Sequence, residues 1–151
     1  MKNLKLIIEM VPASAWENNL RNVLTKKMWD DLRRKIYEKY DHRCAICGKT
    51  PKKLHAHEVW EYDDENHIQI LKDIIPLCPL CHLVKHIGFA GMNASKGGAP
   101  MVAVIAHFKR VNGVGQDVYL KHYEEELEKW EERSRYEWMI DVRSYKNKAS
   151  N

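Results

Sequence analysis

The sequence predicts an α+β fold, with a β-hairpin and a short helix at its centre and helices on either side. Three observations point there. Apolar runs at residues 54–61 and 68–77 are separated by the polar turn Asp63-Asp64-Glu65-Asn66, the pattern of two paired strands. The flanks place apolar side chains at helical spacing: Met28, Trp29, Leu32, Ile36 and Tyr40 before the hairpin, and Tyr119, Tyr123, Leu127 and Trp130 after it. Two Cys-x-x-Cys pairs, Cys44/Cys47 and Cys78/Cys81, bracket the hairpin.

In chain order, residues 4–11 are rich in Leu, Ile and Val and read as a strand stopped by Pro12. Ser14 followed by Glu17 forms a capping box, so a helix begins there, with Leu20, Val23 and Leu24 as its stripe. The second helix runs to Tyr40, and Trp16 and Trp29 are expected in the core. Residues 44–48 make a tight turn ahead of the hairpin. Pro79 opens a helix that should reach about His86 and stop at Gly88. Residues 88–100 are Gly-rich and read as a loop and internal hinge. A helix over 100–111, closed by Asn112-Gly113, is followed by a longer one over 117–135 and a closing strand over 138–142. The chain is expected to be a single domain in three parts: an N-terminal strand and helices (1–42), a central core (43–88) and a C-terminal helical extension (89–151).

Composition narrows the class. Of 151 residues, 44% are hydrophobic and 30% charged, which favours a packed globule over disorder. The longest apolar run, residues 101–106, is far short of the roughly 20 residues that span a bilayer, so no membrane association is expected. The apolar start is short and carries Glu9, so it reads as a structural strand rather than a leader, and the protein as cytoplasmic. A net charge of +4 permits a polyanionic partner without requiring one. Basic residues gather near the cysteines, at Lys26-Lys27, Arg33-Arg34-Lys35 and residues 49–53, while acids gather at 61–65 and 124–132.

Four thiolates in two Cys-x-x-Cys pairs suit a tetrahedral structural Zn²⁺. Disulfides fit a cytoplasmic chain poorly, and a redox motif needs only one pair. Five of the eight histidines, His55, His57, His67, His82 and His86, fall between Cys47 and Gly88. His55 and His57 share a strand face, and His82 and His86 share a helix face. Joined at one zinc, strand and helix would bring these imidazoles to a second, adjacent site. A divalent cation and a neutral imidazole base are what phosphodiester hydrolysis requires.

The segment 43–88, with CAICG, LHAHEVW and DIIPLCPLCHLVKH, resembles the ββα-metal core of HNH endonucleases. The resemblance implies a metal-dependent endonuclease acting on DNA. It makes His57 the general base, His82 a ligand of the catalytic cation (Mg²⁺, Mn²⁺ or another divalent ion) and His86 a further basic or metal-binding position. Asp73 stands where the family's middle Asn is expected. Ala56 precedes the base where the family has a metal ligand, so His55 or Glu58 supplies it. A shifted frame instead makes His57 a ligand and Glu58 the base; the spacing to Asp73 and His82 favours His57 as base. The string His57-Glu58-Val59-Trp60-Glu61 is only half of a zinc-protease motif, which needs a second histidine on a helix.

The expected partner is nucleic acid, double-stranded DNA above all, gripped through phosphates by Arg21, Arg33, Arg34 and Lys85. Two other readings compete: a zinc-ribbon nucleic-acid-binding module without catalysis, and an interaction module using the acidic helix 117–135. Neither needs His57, His82 and His86 near one another.

Overall fold

The structure, a computed structural model, describes residues 3–15, 20–143 and 145, and at Arg21 the backbone only. Trp16 and Glu17, and with them the expected capping box, lie outside the described residues. The Ser14 hydroxyl donates to the Tyr136 carbonyl at 2.9 Å.

Residues 4–11, expected as a strand, pair with no sheet. They form an extended strap whose backbone is satisfied mostly by side chains, with the Glu9 amide donating to the Lys85 carbonyl at 3.1 Å. Asn112 accepts from the amides of Lys5 (2.8 Å) and Leu6 (2.9 Å) and donates to the Leu6 carbonyl (2.9 Å). His122 accepts from the Ile8 amide at 2.9 Å, and Trp130 donates to the Val11 carbonyl at 3.0 Å. The strap's β-like composition reflects burial: Leu6 and Ile8 are both fully enclosed. Buried backbone groups need partners, and here side chains replace a neighbouring strand.

In the region expected to hold the first helix, the described residues form a 3-10 turn, Ala13–Ala15, and a helical segment α1, Leu20–Val23. Helix α2, Lys26–Lys39, starts where Thr25 accepts from the Met28 amide, and it buries Trp29 and Ile36. The hairpin follows as β1, His55–Asp63, and β2, Ile68–Leu77. Asp63 shapes its turn by accepting from the backbone of Glu65 and Asn66. The register shifts between Val59 and Trp60, leaving Lys72 without a partner residue. This bulge lets alternate faces of β2 stay buried on both sides of it. A short strand β3, Met139–Asp141, lies parallel to β2, so β1 forms the sheet edge opposite it.

Helix α3, Pro79–Lys85, begins at Cys78 and ends at His86. Residues 88–100, expected as a hinge loop, are mostly helical: α4 spans Ile87–Ser95. Ile87 and Ala90 are buried, whereas Gly88 and Gly91 face solvent and have open space around them. Packing of the buried side therefore outweighs the low helix propensity of glycine. Helix α5, Met101–Asn112, ends at Gly113 in a left-handed conformation, and α6 spans Gln116–Arg133. No helix among the described residues is long and apolar enough to cross a membrane.

Two apolar clusters result. One joins the strap, the cysteines, α3, α4, α5 and α6 around Phe108 and Val84. The other joins α1, α2 and one face of the hairpin around Trp29, Leu71 and Ile74. Asn112→Ala, which strips three backbone groups of the strap of their partners, should cost about 2–4 kcal/mol in urea unfolding. Asn112→Asp, which keeps the accepting oxygen, should cost less.

Candidate metal centre and adjoining cleft

The first cysteine pair sits in a knuckle. Cys44 N–H donates to the Lys49 carbonyl, and Gly48 N–H to the Cys44 carbonyl. Gly48 has φ +77°, a conformation that other residues adopt with strain. Ala45 N–H donates to the Pro76 carbonyl, tying the knuckle to the end of β2. The second pair opens α3: Pro79 occupies the first turn, and the Cys78 sulfur accepts from the Cys81 amide at 3.4 Å.

All four sulfurs lie within 4.8 Å of one another, and none is in a disulfide. Cys47 and Cys78 Sγ are 3.6 Å apart. A tetrahedron with Zn–S bonds of about 2.3 Å has S···S edges of about 3.8 Å, so the spacing fits a structural metal such as zinc. The electrostatics agree. Hydrogen bonds from Cys78 and Cys81 favour ionisation of Cys44, and in turn the bond to Cys44 pushes Cys78 up to about 11 and Cys81 further. Four thiolates packed this closely would need a cation to balance their charge.

His107, which sequence patterns did not mark, completes this site. Arg110 Nη2 lies 3.0 Å from His107 Nδ1. Guanidinium only donates, so Nδ1 is the acceptor and Nε2 carries the proton. Nε2 then donates to Cys81 Sγ at 3.1 Å, a bond that supports thiolate character. His107 and Arg110 stand one turn apart on α5, so the sequence showed only an ordinary helix face.

Beside the sulfurs lies a histidine cluster. His55 and His57 project from β1, His82 from α3, and His86 from the break between α3 and α4. Ring centroids are 4.8 Å apart for His82–His86, 5.0 Å for His57–His86, 5.5 Å for His57–His82 and 4.9 Å for His55–His82. His57, His82 and His86 each offer a nitrogen within 4.8 Å of the others'. His55 touches His82 but is not part of that trio. Burial pushes the His86 imidazole down to about 4, which keeps it in the neutral form that ligates metals.

The strap delivers a residue that the motifs did not predict. Glu9 Oε2 lies 3.4 Å from His57 Nε2, and its Oε1 accepts from Lys85 Nζ at 3.0 Å. Burial alone would raise the Glu9 carboxyl, but the His57 hydrogen bond and the Lys85 charge outweigh it and hold the group ionised. Lys85, expected at the surface as a phosphate contact, is only 5% exposed and is committed to Glu9. The apolar stem and the carboxylate draw it inward.

The other expected site residues fall elsewhere. Asp73 accepts from the Ile74 amide at 2.8 Å and raises Tyr145 in part through a hydrogen bond; it does not line the histidine cleft. Glu58 does line the cleft, and its Oε2 accepts from the Leu20 amide at 3.2 Å. Arg33 is held by Asp30 at 2.9 Å, and Arg34 lies 3.9 Å from Asp31, both on α2. The Arg21 side chain lies outside the described residues.

A cleft of about 760 Å³ opens from the histidines and separates the two apolar clusters. The strap, α2, α4, α6 and the edge strand β1 all contribute to its walls. Gln69 lines it while being 1% exposed, and neither its amide nitrogen nor its oxygen has a hydrogen-bond partner. The chain matches no protein-family model, no curated protein and no solved structure.

Purified protein should carry one zinc per chain by elemental analysis, and Cys81→Ser should lower that content and unfold the centre as read by circular dichroism. Lys85→Ala leaves the half-buried Glu9 with one partner lost, and should cost about 2–3 kcal/mol in denaturant unfolding.

Proposed function

We propose that the protein is a metal-dependent endonuclease of the HNH type, hydrolysing phosphodiester bonds of nucleic acid, with double-stranded DNA the substrate the resemblance implies. The observation that carries this reading is the convergence of His57, His82 and His86, from a hairpin strand and the following helix, on one cleft beside four metal-competent sulfurs. A non-catalytic zinc ribbon has no use for that second cluster.

A divalent cation held there would supply charge neutralisation at the phosphate and at the departing oxygen. His82 on α3 and His86 at its C-cap, whose N–H donates to the His82 carbonyl, are the residues to hold it. His57 is the base that takes a proton from water. Its Nε2–H points to Glu9, which leaves Nδ1 as the acceptor. Glu9 is thereby a positioning group: an ionised carboxylate orients the ring and stabilises it when protonated. Lys85 balances that carboxylate and keeps it from competing for the cation. The sulfur site is structural, fixing α3 against the hairpin so that the imidazoles keep their spacing. With its thiols unpaired, the protein suits a reducing compartment such as the cytoplasm.

Supercoiled plasmid incubated with Mg²⁺, Mn²⁺ or Ni²⁺ tests the reading. The wild type should nick it, and His57→Ala should be slower by about 100-fold or more with DNA affinity nearly unchanged. His82→Ala should also lose activity, partly regained at higher cation concentration. No cleavage with any of these ions, or full activity in His57→Ala, would sink the assignment.

A further inference from the structure

We infer that the cleft is a nucleobase pocket: one nucleotide, unstacked from its neighbours, places its base among Trp60, Trp130 and Gln69 while its phosphate stays at the histidine end. This inference rests on the phosphodiesterase reading above and names the part of the substrate that enters the protein.

The walls are chemically divided. The histidine end is polar and suits a cation and a phosphate. The cleft then passes the free edge of β1 and becomes aromatic, with Trp60 and Trp130 on opposite elements, a strand and helix α6. Its volume of about 760 Å³ falls within the roughly 300–1,000 Å³ of small-ligand sites. Aromatic side chains recognise bases by stacking, whatever the sequence.

Gln69 makes the aromatic end more than a greasy slot. It sits inside the sheet, opposite Tyr62 on β1 and Ile140 on β3. A buried glutamine normally satisfies its amide, yet both of its polar atoms lack partners here. Side by side, they offer one donor and one acceptor. A base edge offers the complement: adenine, for example, pairs with a glutamine amide through two parallel hydrogen bonds. An apolar ligand would leave both atoms unmet, and a bare sugar-phosphate would leave the aromatic walls unused. Phe89, 56% exposed on α4, lies at the cleft and gives an arriving base a first apolar surface.

The test is binding, read by quenching of tryptophan fluorescence in the metal-bound protein without added divalent cation, so that cleavage does not contribute. The probes are a short single-stranded DNA, the same strand in a duplex, and a strand of equal length with every base replaced by an abasic site. The base-bearing single strand should quench and should bind about tenfold or more tightly than the abasic strand. A duplex that also quenches supports a nucleotide flipped out of the helix; a silent duplex supports an unpaired strand. Gln69→Leu should weaken the single strand by about fivefold or more, with Gln69→Met as the replacement if leucine does not fold.

Equal binding of base-bearing and abasic strands overturns the inference on the wild type alone. Unchanged affinity in a folded Gln69 variant overturns it too, making the amide a hydrated structural group shared with the equally unpartnered Tyr62 hydroxyl. The two readings fail separately. Base-dependent quenching without plasmid cleavage keeps the pocket and removes the nuclease, whereas cleavage with indifference to the base does the reverse.

Discussion

Four sulfur atoms from two distant turns occupy one small volume, and most of the remaining architecture is arranged by that fact. The first pair lies in a loop with little regular structure of its own, held by three backbone bonds around residues 44–49. The second pair is the start of α3. Bringing them together fixes the end of β2, the direction of α3 and, through His107, the position of α5. Because α3 leaves the sulfur cluster directly, His82 and His86 have their places set within one turn of it. The histidine cluster inherits its geometry from the cysteines.

A second consequence follows from how the apolar residues divide. A chain of this length has enough hydrophobic surface for one core, yet two clusters form, on opposite sides of the edge strand. The cleft is the seam between them, walled by residues from both. Seams of this kind are where clefts form without a dedicated loop, because two packed bodies meet imperfectly. Of the buried polar residues, His57 and Gln69 line this seam and Lys85 adjoins it, whereas His107, Asn112 and His122 lie on α5 and α6.

Much of this was legible in the chain. The hairpin and its Asp63 turn, α2, the Pro79 start of α3, the Gly113 stop of α5 and the α6 stripe all rest on local patterns, and local patterns survive without tertiary context. The cysteine cluster was legible because spacing alone nearly dictates it. What escaped depends on partners far away in sequence. Residues 4–11 have strand composition, but their hydrogen bonds go to Asn112, His122, Trp130 and the Lys85 carbonyl. Gly88 and Gly91 suggest a loop, but α4 needs only its buried side to hold. Glu9 and Lys85 look like ordinary surface charges until the strap is laid across α3. His107 carries no motif because its role comes from touching a sulfur. Gln69 is hidden for the opposite reason: a polar residue in a strand usually faces water, and this one does not.

The strap also bears on the order in which the molecule is completed. Its bonds to Asn112, His122 and Trp130 join residues 106 to 119 positions apart. Synthesis runs from the N-terminus, so residues 4–11 emerge before α5 and α6, whose side chains hold Leu6, Ile8 and Val11. The sulfur cluster, the hairpin and α3 span a much shorter stretch and can come together earlier, since short loops close at lower entropic cost. Glu9 is the exception within the strap, because its own partners, His57 and Lys85, lie only 48 and 76 positions away. Its carboxylate can therefore meet His57 once the hairpin and α3 have formed, before the rest of the strap is fastened to α5 and α6.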